Sequence, residues 1–216
     1  MGFRTSLLMY TDGEVPALLR QADVSDPGRT VAMMKRLTPG RTIEPTAPVR
    51  LWDGLYPLFG HAFAASFPGV DIVCDLRLVS ERPSELPAPL VAASAGRRLI
   101  LHGMHSVVDW SAFAVWEDGR LVRSLSLCPD DGFIEDIGER LPFETPYWAA
   151  DCNADTIPWP DRAEDPDALP FHALALGVSA LHALCGIDLD GPPGPDAVDG
   201  AVVQLHGFVT RGPVAG

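Results

Sequence analysis

His102 and His105 stand three residues apart in LHGMHSVVDWSAFAVWEDGRLVRSLSL, Leu101 to Leu127, and Asp109 follows four residues after the second histidine. A histidine oriented by an aspartate is the usual general-base arrangement, so His105 with Asp109 is the candidate catalytic pair. Ser106 and Ser111 supply nearby hydroxyls, but no G-x-S-x-G elbow accompanies them. Side chains alternate between the faces of a strand, so two histidines an odd number of positions apart point to opposite sides. A joint metal site on His102 and His105 would need the strand to break at Gly103. His61, His172, His182 and His206 are isolated in the sequence.

Arg123 is the second candidate. In SAFAVWE-DG-RLVRSLS, Asp118-Gly119 separates two strand-like runs and fits a two-residue type I′ hairpin turn. That register sets Glu117 against Arg120, Trp116 against Leu121, Val115 against Val122 and Ala114 against Arg123. One face then carries Ala112, Ala114, Trp116, Leu121, Arg123 and Leu125. A guanidinium among apolar neighbours stays charged and needs an acceptor. Three outcomes are open. Arg123 closes an internal salt bridge, with Asp75, Asp109, Glu135 or Asp136 as partner, it anchors the carboxylate or phosphate of a ligand, or its face of the hairpin is exposed. The candidate ligand-binding residues are therefore Arg123, His102 and Trp116.

Other chemistries lack their signatures. There is no P-loop and no G-x-G-x-x-G between a strand and a helix, so no cofactor is expected. Cys74, Cys128, Cys152 and Cys185 are far apart, without the close pairs of a zinc site, and read as small buried hydrophobes. The acidic run FIEDIGERLPFE holds Glu135, Asp136, Glu139 and Glu144, but its spacing does not match an EF-hand loop. It reads as solvated loop charge, with divalent-cation binding as a further alternative.

The chain has 216 residues, 47% of them hydrophobic, which fits one domain with a sizeable core. No apolar run approaches the ~18 residues of a membrane span, and the apolar run near the start reads as a strand rather than a leader, so a cytoplasmic protein is expected. The net charge is −13, from 16 basic and 29 acidic residues. Up to Cys128 the two signs balance, so the whole excess lies in the last 88 residues. Such a surface repels phosphates, and nucleic acid and anionic membranes are excluded as expected partners. A basic protein partner docking near Trp148 and Trp159, or a small anionic ligand held by Arg123, remains.

The elements that must position these residues alternate irregularly between strand and helix. Thr5–Tyr10, Arg41–Thr46, Gly60–Phe67, Val70–Val79, Arg97–Val107 and the two hairpin arms read as strands, with a last one in AVVQLHGFVTRG. Helices are expected at EVPALLRQA, Thr30–Leu37, Ser84–Gly96 with Ser84 as N-cap, and Phe171–Ile187. RLWDGLYP reads as a short helix or turn, and 133–148 as irregular with at most one short strand. Acidic, Pro-rich loops are expected near 151–170 and 191–200. The expected fold is a single α+β domain, with a mixed, largely antiparallel sheet and flanking helices.

TSLLMYTDGEVPALLR, FPGVDIVCDLRLV, and LHGMHSVVDWSAFAVWEDGRLVRSLSL followed by GFIEDIGERLPFETPYW together resemble a domain-of-unknown-function family of high-GC Gram-positive bacteria. The resemblance covers roughly Met1 to Phe208 and implies one compact domain. It brings no activity or site residue with it. The hairpin pattern is also similar to hairpins of small bacterial domains with partner or immunity roles, a likeness of fold. The expected function is a non-catalytic cytoplasmic domain that binds a protein partner or small ligand. The alternative is a small cofactor-independent hydrolase or isomerase using His105 and Asp109 as base and Arg123 as anion anchor.

Overall fold

The computed structural model describes residues 3–21, 24–149, 169–189, 193–194 and 196–212. Cys152, Trp159 and most of the acidic 151–170 stretch lie outside them. The chain runs through β1 (Arg4–Thr11), α1 (Val15–Gln21), α2 (Pro27–Leu37), β2 (Thr42–Arg50), α3 (Leu51–Gly54), β3 (His61–Phe67), β4 (Val70–Asp75) and α4 (Ala88–Ala92). It continues with β5 (Arg98–His105), β6 (Trp110–Glu117), β7 (Arg120–Cys128), β8 (Gly132–Gly138), α5 (Thr145–Trp148), α6 (Ala173–Cys185) and β9 (Gln204–Arg211). Short 3-10 turns lie at Leu76–Leu78, Pro83–Glu85 and Pro142–Glu144.

The nine strands form one sheet in the order β2-β9-β3-β4-β1-β5-β6-β7-β8, and all neighbours run antiparallel. The fold is α+β and dominated by its sheet. β1 takes the central position because it is apolar on both faces: every residue after Arg4 is buried. Leu7 and Met9 join Ile100, Phe113 and Leu125 in a core closed by α1 and α6. Leu8 and Tyr10 join Leu99, Ala114 and Trp116 in a second core, closed by Met33, Met34 and Leu37 of α2 and by α4.

Several elements differ from the sequence reading. β2 continues through Pro45 and Pro48 to Arg50. Proline lacks the ladder donor but is tolerated on an edge strand, and the register shifts between Thr46 and Val49. β4 stops at Asp75, whose carboxylate accepts from the Arg77 amide and starts a 3-10 turn. The Ser84–Gly96 region is helical only over Ala88–Ala92, because its prolines break the pattern, and Ser84 caps nothing. β8 is an edge strand of seven residues, the one strand allowed for in this segment but longer than expected.

The hairpin forms with the expected turn, Asp118 and Gly119 both at positive φ (49° and 74°). Glu117 faces Arg120 and Trp116 faces Leu121, but Val115 then faces Arg123, which leaves Val122 as an extra residue. This bulge slips the register by one and turns Arg123 from the Trp116 face to the α6 face. Gly138 accommodates it from β8: its φ is +87°, and a Cβ there would collide with the Val122 carbonyl oxygen. Gly138→Ala is expected to destabilise the fold by more than ~1 kcal/mol, read from the urea midpoint. An unchanged midpoint would mean that the bulge is not held in this way.

Candidate ligand site

Arg123 is fully buried on the α6 face, and each of its guanidinium nitrogens is engaged. Its Nε donates to Glu144 Oε1 at 2.9 Å and its Nη2 to Glu144 Oε2 at 2.7 Å, a bidentate pair. Its Nη1 donates to the Asp136 carboxylate and to the Ile137 and Gly138 carbonyls. Burial alone would lower the pKa of the guanidinium. The hydrogen bonds and charges of Glu144 and Asp136 outweigh it and hold the value above the ordinary one. Glu144 is also fully buried, and it further accepts from the Leu141 amide and the Trp148 indole. Of the four partners expected from the sequence, Asp136 takes part. Glu144 was missed there, although a glutamate reaching back to the amide at the start of its own turn is a recognisable capping arrangement.

The acidic run around β8 is divided: Glu135 and Glu144 are buried, whereas Asp136 and Glu139 are exposed as a solvated run would be. Glu135 is buried against the Ser84 amide and hydroxyl and the Ser124 hydroxyl. Among the described residues, no three His, Cys, Asp or Glu side chains gather as a metal site would need. Cys74, Cys128 and Cys185 are buried free thiols, and burial pushes Cys185 up to about 12.

The two histidines separate as the strand period requires. His102 lies with Arg123 on the α6 face, His105 on the other. His102 is fully buried. Its Nε2 donates to the Gly177 carbonyl of α6, and its Nδ1 accepts from the Thr5 hydroxyl, each at 2.8 Å. Desolvation lowers its pKa to about 4, against a smaller upward effect of the Gly177 bond. His105 sits at the end of β5 with Tyr56 edge-on at 6.0 Å, and its Nδ1 has no partner. No hydrogen bond joins it to Asp109, which holds a left-handed backbone (φ 47°) in the β5–β6 turn. Trp116 is buried in the second core opposite Leu99. His105, Asp109 and Arg123 therefore do not converge on one pocket.

A separate cavity of about 260 Å³ opens between α2, the 76–78 turn and α4. Leu8 and Val73 of the sheet form part of its wall, with Met34, Leu37, Leu78 and Leu90 facing them from the helical layer. Arg41, Asp75 and Arg77 supply the charged part of the lining. Arg77 is held bidentately by Asp75. Among the described residues, the buried Arg41 Nε has no partner. An apolar wall with a few polar groups is the common form of a small-molecule site. The lining comes from four separate segments, so no local motif announces it.

The chain belongs to a family of unknown function (DUF6928), whose profile matches residues 5–208. No curated protein and no solved structure matches it. Among the described residues, no helix is long and apolar enough to cross a membrane.

Arg123→Met leaves Glu144 buried without its counter-charge and is expected to cost about 3–5 kcal/mol in chemical denaturation. Adding Glu144→Leu should recover part of that loss; a lone Arg123→Met with wild-type stability would contradict the network. His102 gives a pH dependence. Its folded pKa is lowered from the ordinary 6.5, so its contribution is complete above pH 6.5 and is lost as pH falls toward 4. The full loss is roughly 3 kcal/mol. His102→Gln should flatten the stability profile between pH 6.5 and 4, and parallel wild-type and variant profiles would contradict the assignment.

Proposed function

We propose that this family member is a non-catalytic cytoplasmic domain that binds a small ligand in the cavity between α2 and α4. The observation that carries the reading is the preformed apolar cavity with an unpartnered arginine in its lining. The polar centre first suggested by the sequence supports it indirectly. Arg123 spends its donors on Glu144, Asp136 and two carbonyls, and His102 spends both ring nitrogens on Thr5 and Gly177. Groups satisfied in this way have little left for a substrate.

Three buried free thiols are in keeping with a reducing compartment. The arginine-rich, lysine-poor composition is in keeping with a high-GC bacterial origin. A net charge of −13 argues against nucleic acid and anionic membranes as partners.

The test is a thermal-shift series of six-carbon aliphatic compounds on wild type and Leu90→Trp, a substitution that fills the cavity from α4. A ligand present at 100 times its Kd should stabilise the wild type by about 2.7 kcal/mol. Leu90→Trp should fold and lose the shift. Equal shifts in both proteins, or none in the wild type, would overturn the reading.

A further inference from the structure

Arg41 differs from the other arginine of the cavity. Arg77 is neutralised by Asp75 through a bidentate pair and the Arg77 amide. Among the described residues, no side chain or carbonyl pairs with the Arg41 side chain, although its backbone amide is tied to the Thr38 carbonyl. The charged lining of the cavity therefore sums to one positive charge in a chain of net −13. A partly desolvated guanidinium with a free Nε is best matched by a carboxylate, which accepts two parallel hydrogen bonds.

We infer that the cavity takes a small aliphatic monocarboxylate, with the carboxylate on Arg41 and the hydrocarbon body against Leu8, Met34, Leu37 and Leu90. This rests on the ligand-binding reading above. The size follows from the volume: about 260 Å³ holds roughly eight or nine groups the size of a water, each ~30 Å³. The single charge follows from the lining: with Asp75 paired to Arg77, Arg41 leaves one net positive charge, which a carboxylate balances and a phosphate dianion exceeds.

The experiment is isothermal titration of hexanoate, 1-hexanol and hexyl phosphate into wild type, Arg41→Gln and Arg41→Lys. Among the described residues the Arg41 side chain has no partner to lose, so both variants should melt like the wild type. Hexanoate should bind the wild type more tightly than the other two. Arg41→Gln should weaken hexanoate about tenfold or more while leaving hexanol unchanged, and Arg41→Lys should fall between. If hexanol binds as tightly as hexanoate and Arg41→Gln alters neither, the carboxylate assignment fails while the cavity remains a ligand site. Tighter binding of hexyl phosphate overturns the carboxylate in favour of a phosphoester head. If none of the three binds the wild type, the inference and the reading beneath it both fail.

Discussion

The buried pair of Arg123 and Glu144 holds together elements that nothing local would align. Arg123 belongs to β7, yet its guanidinium reaches the carbonyls of Ile137 and Gly138 at the end of β8 and the carboxylate of Glu144 that closes the following turn. That turn delivers Tyr147 and Trp148 to α6. Tyr147 donates to the Ala175 carbonyl and exchanges a hydrogen bond with Ser179, and both rings meet Phe171 edge-on. Two fully buried opposite charges are tolerable only with their remaining hydrogen bonds satisfied, and here they are. The edge of the sheet, its last turn and the helix over it are thus fixed by a single ionic knot. His102 adds a second tie between sheet and helix through the Gly177 carbonyl.

The parts of the fold visible in the sequence are those governed by local rules. Asp118-Gly119 needs positive φ at both positions, and the turn forms as its residues dictate. β1 and α6 announce themselves by their apolar periods. What stayed hidden depends on partners distant in sequence. The Val122 bulge is invisible in an alternating pattern and is permitted by Gly138 on the neighbouring strand. It reverses the face of Arg123 and so the identity of its partners. Pro45 and Pro48 read as a strand end because the sequence does not say that β2 lies at an edge. Of the proposed site residues, the opposition of His102 and His105 was legible from strand period alone. The cavity was not, since Leu8, Leu37, Val73 and Leu90 meet only in the folded chain.

The molecule divides its arginines by role. Arg123 and Arg77 are consumed by carboxylates of the same chain, and Arg97 is tied to Asp12, Asp71 and the Tyr10 carbonyl. Each of these fixes backbone geometry. Arg41 is left over, partly buried and beside an apolar wall. The face of the sheet away from α6 therefore combines a packed scaffold with an arginine whose Nε finds no partner among the described residues, and the proposed ligand site rests on that combination.

The measurement that bears most directly on this division is a map of amide chemical-shift changes on ¹⁵N-labelled protein titrated with hexanoate. Perturbations are expected only at Leu37, Thr38, Arg41, Leu78 and Leu90, with Arg123, Asp136 and Glu144 unmoved. Perturbations centred on Arg123 and Glu144, with the cavity silent, would contradict it.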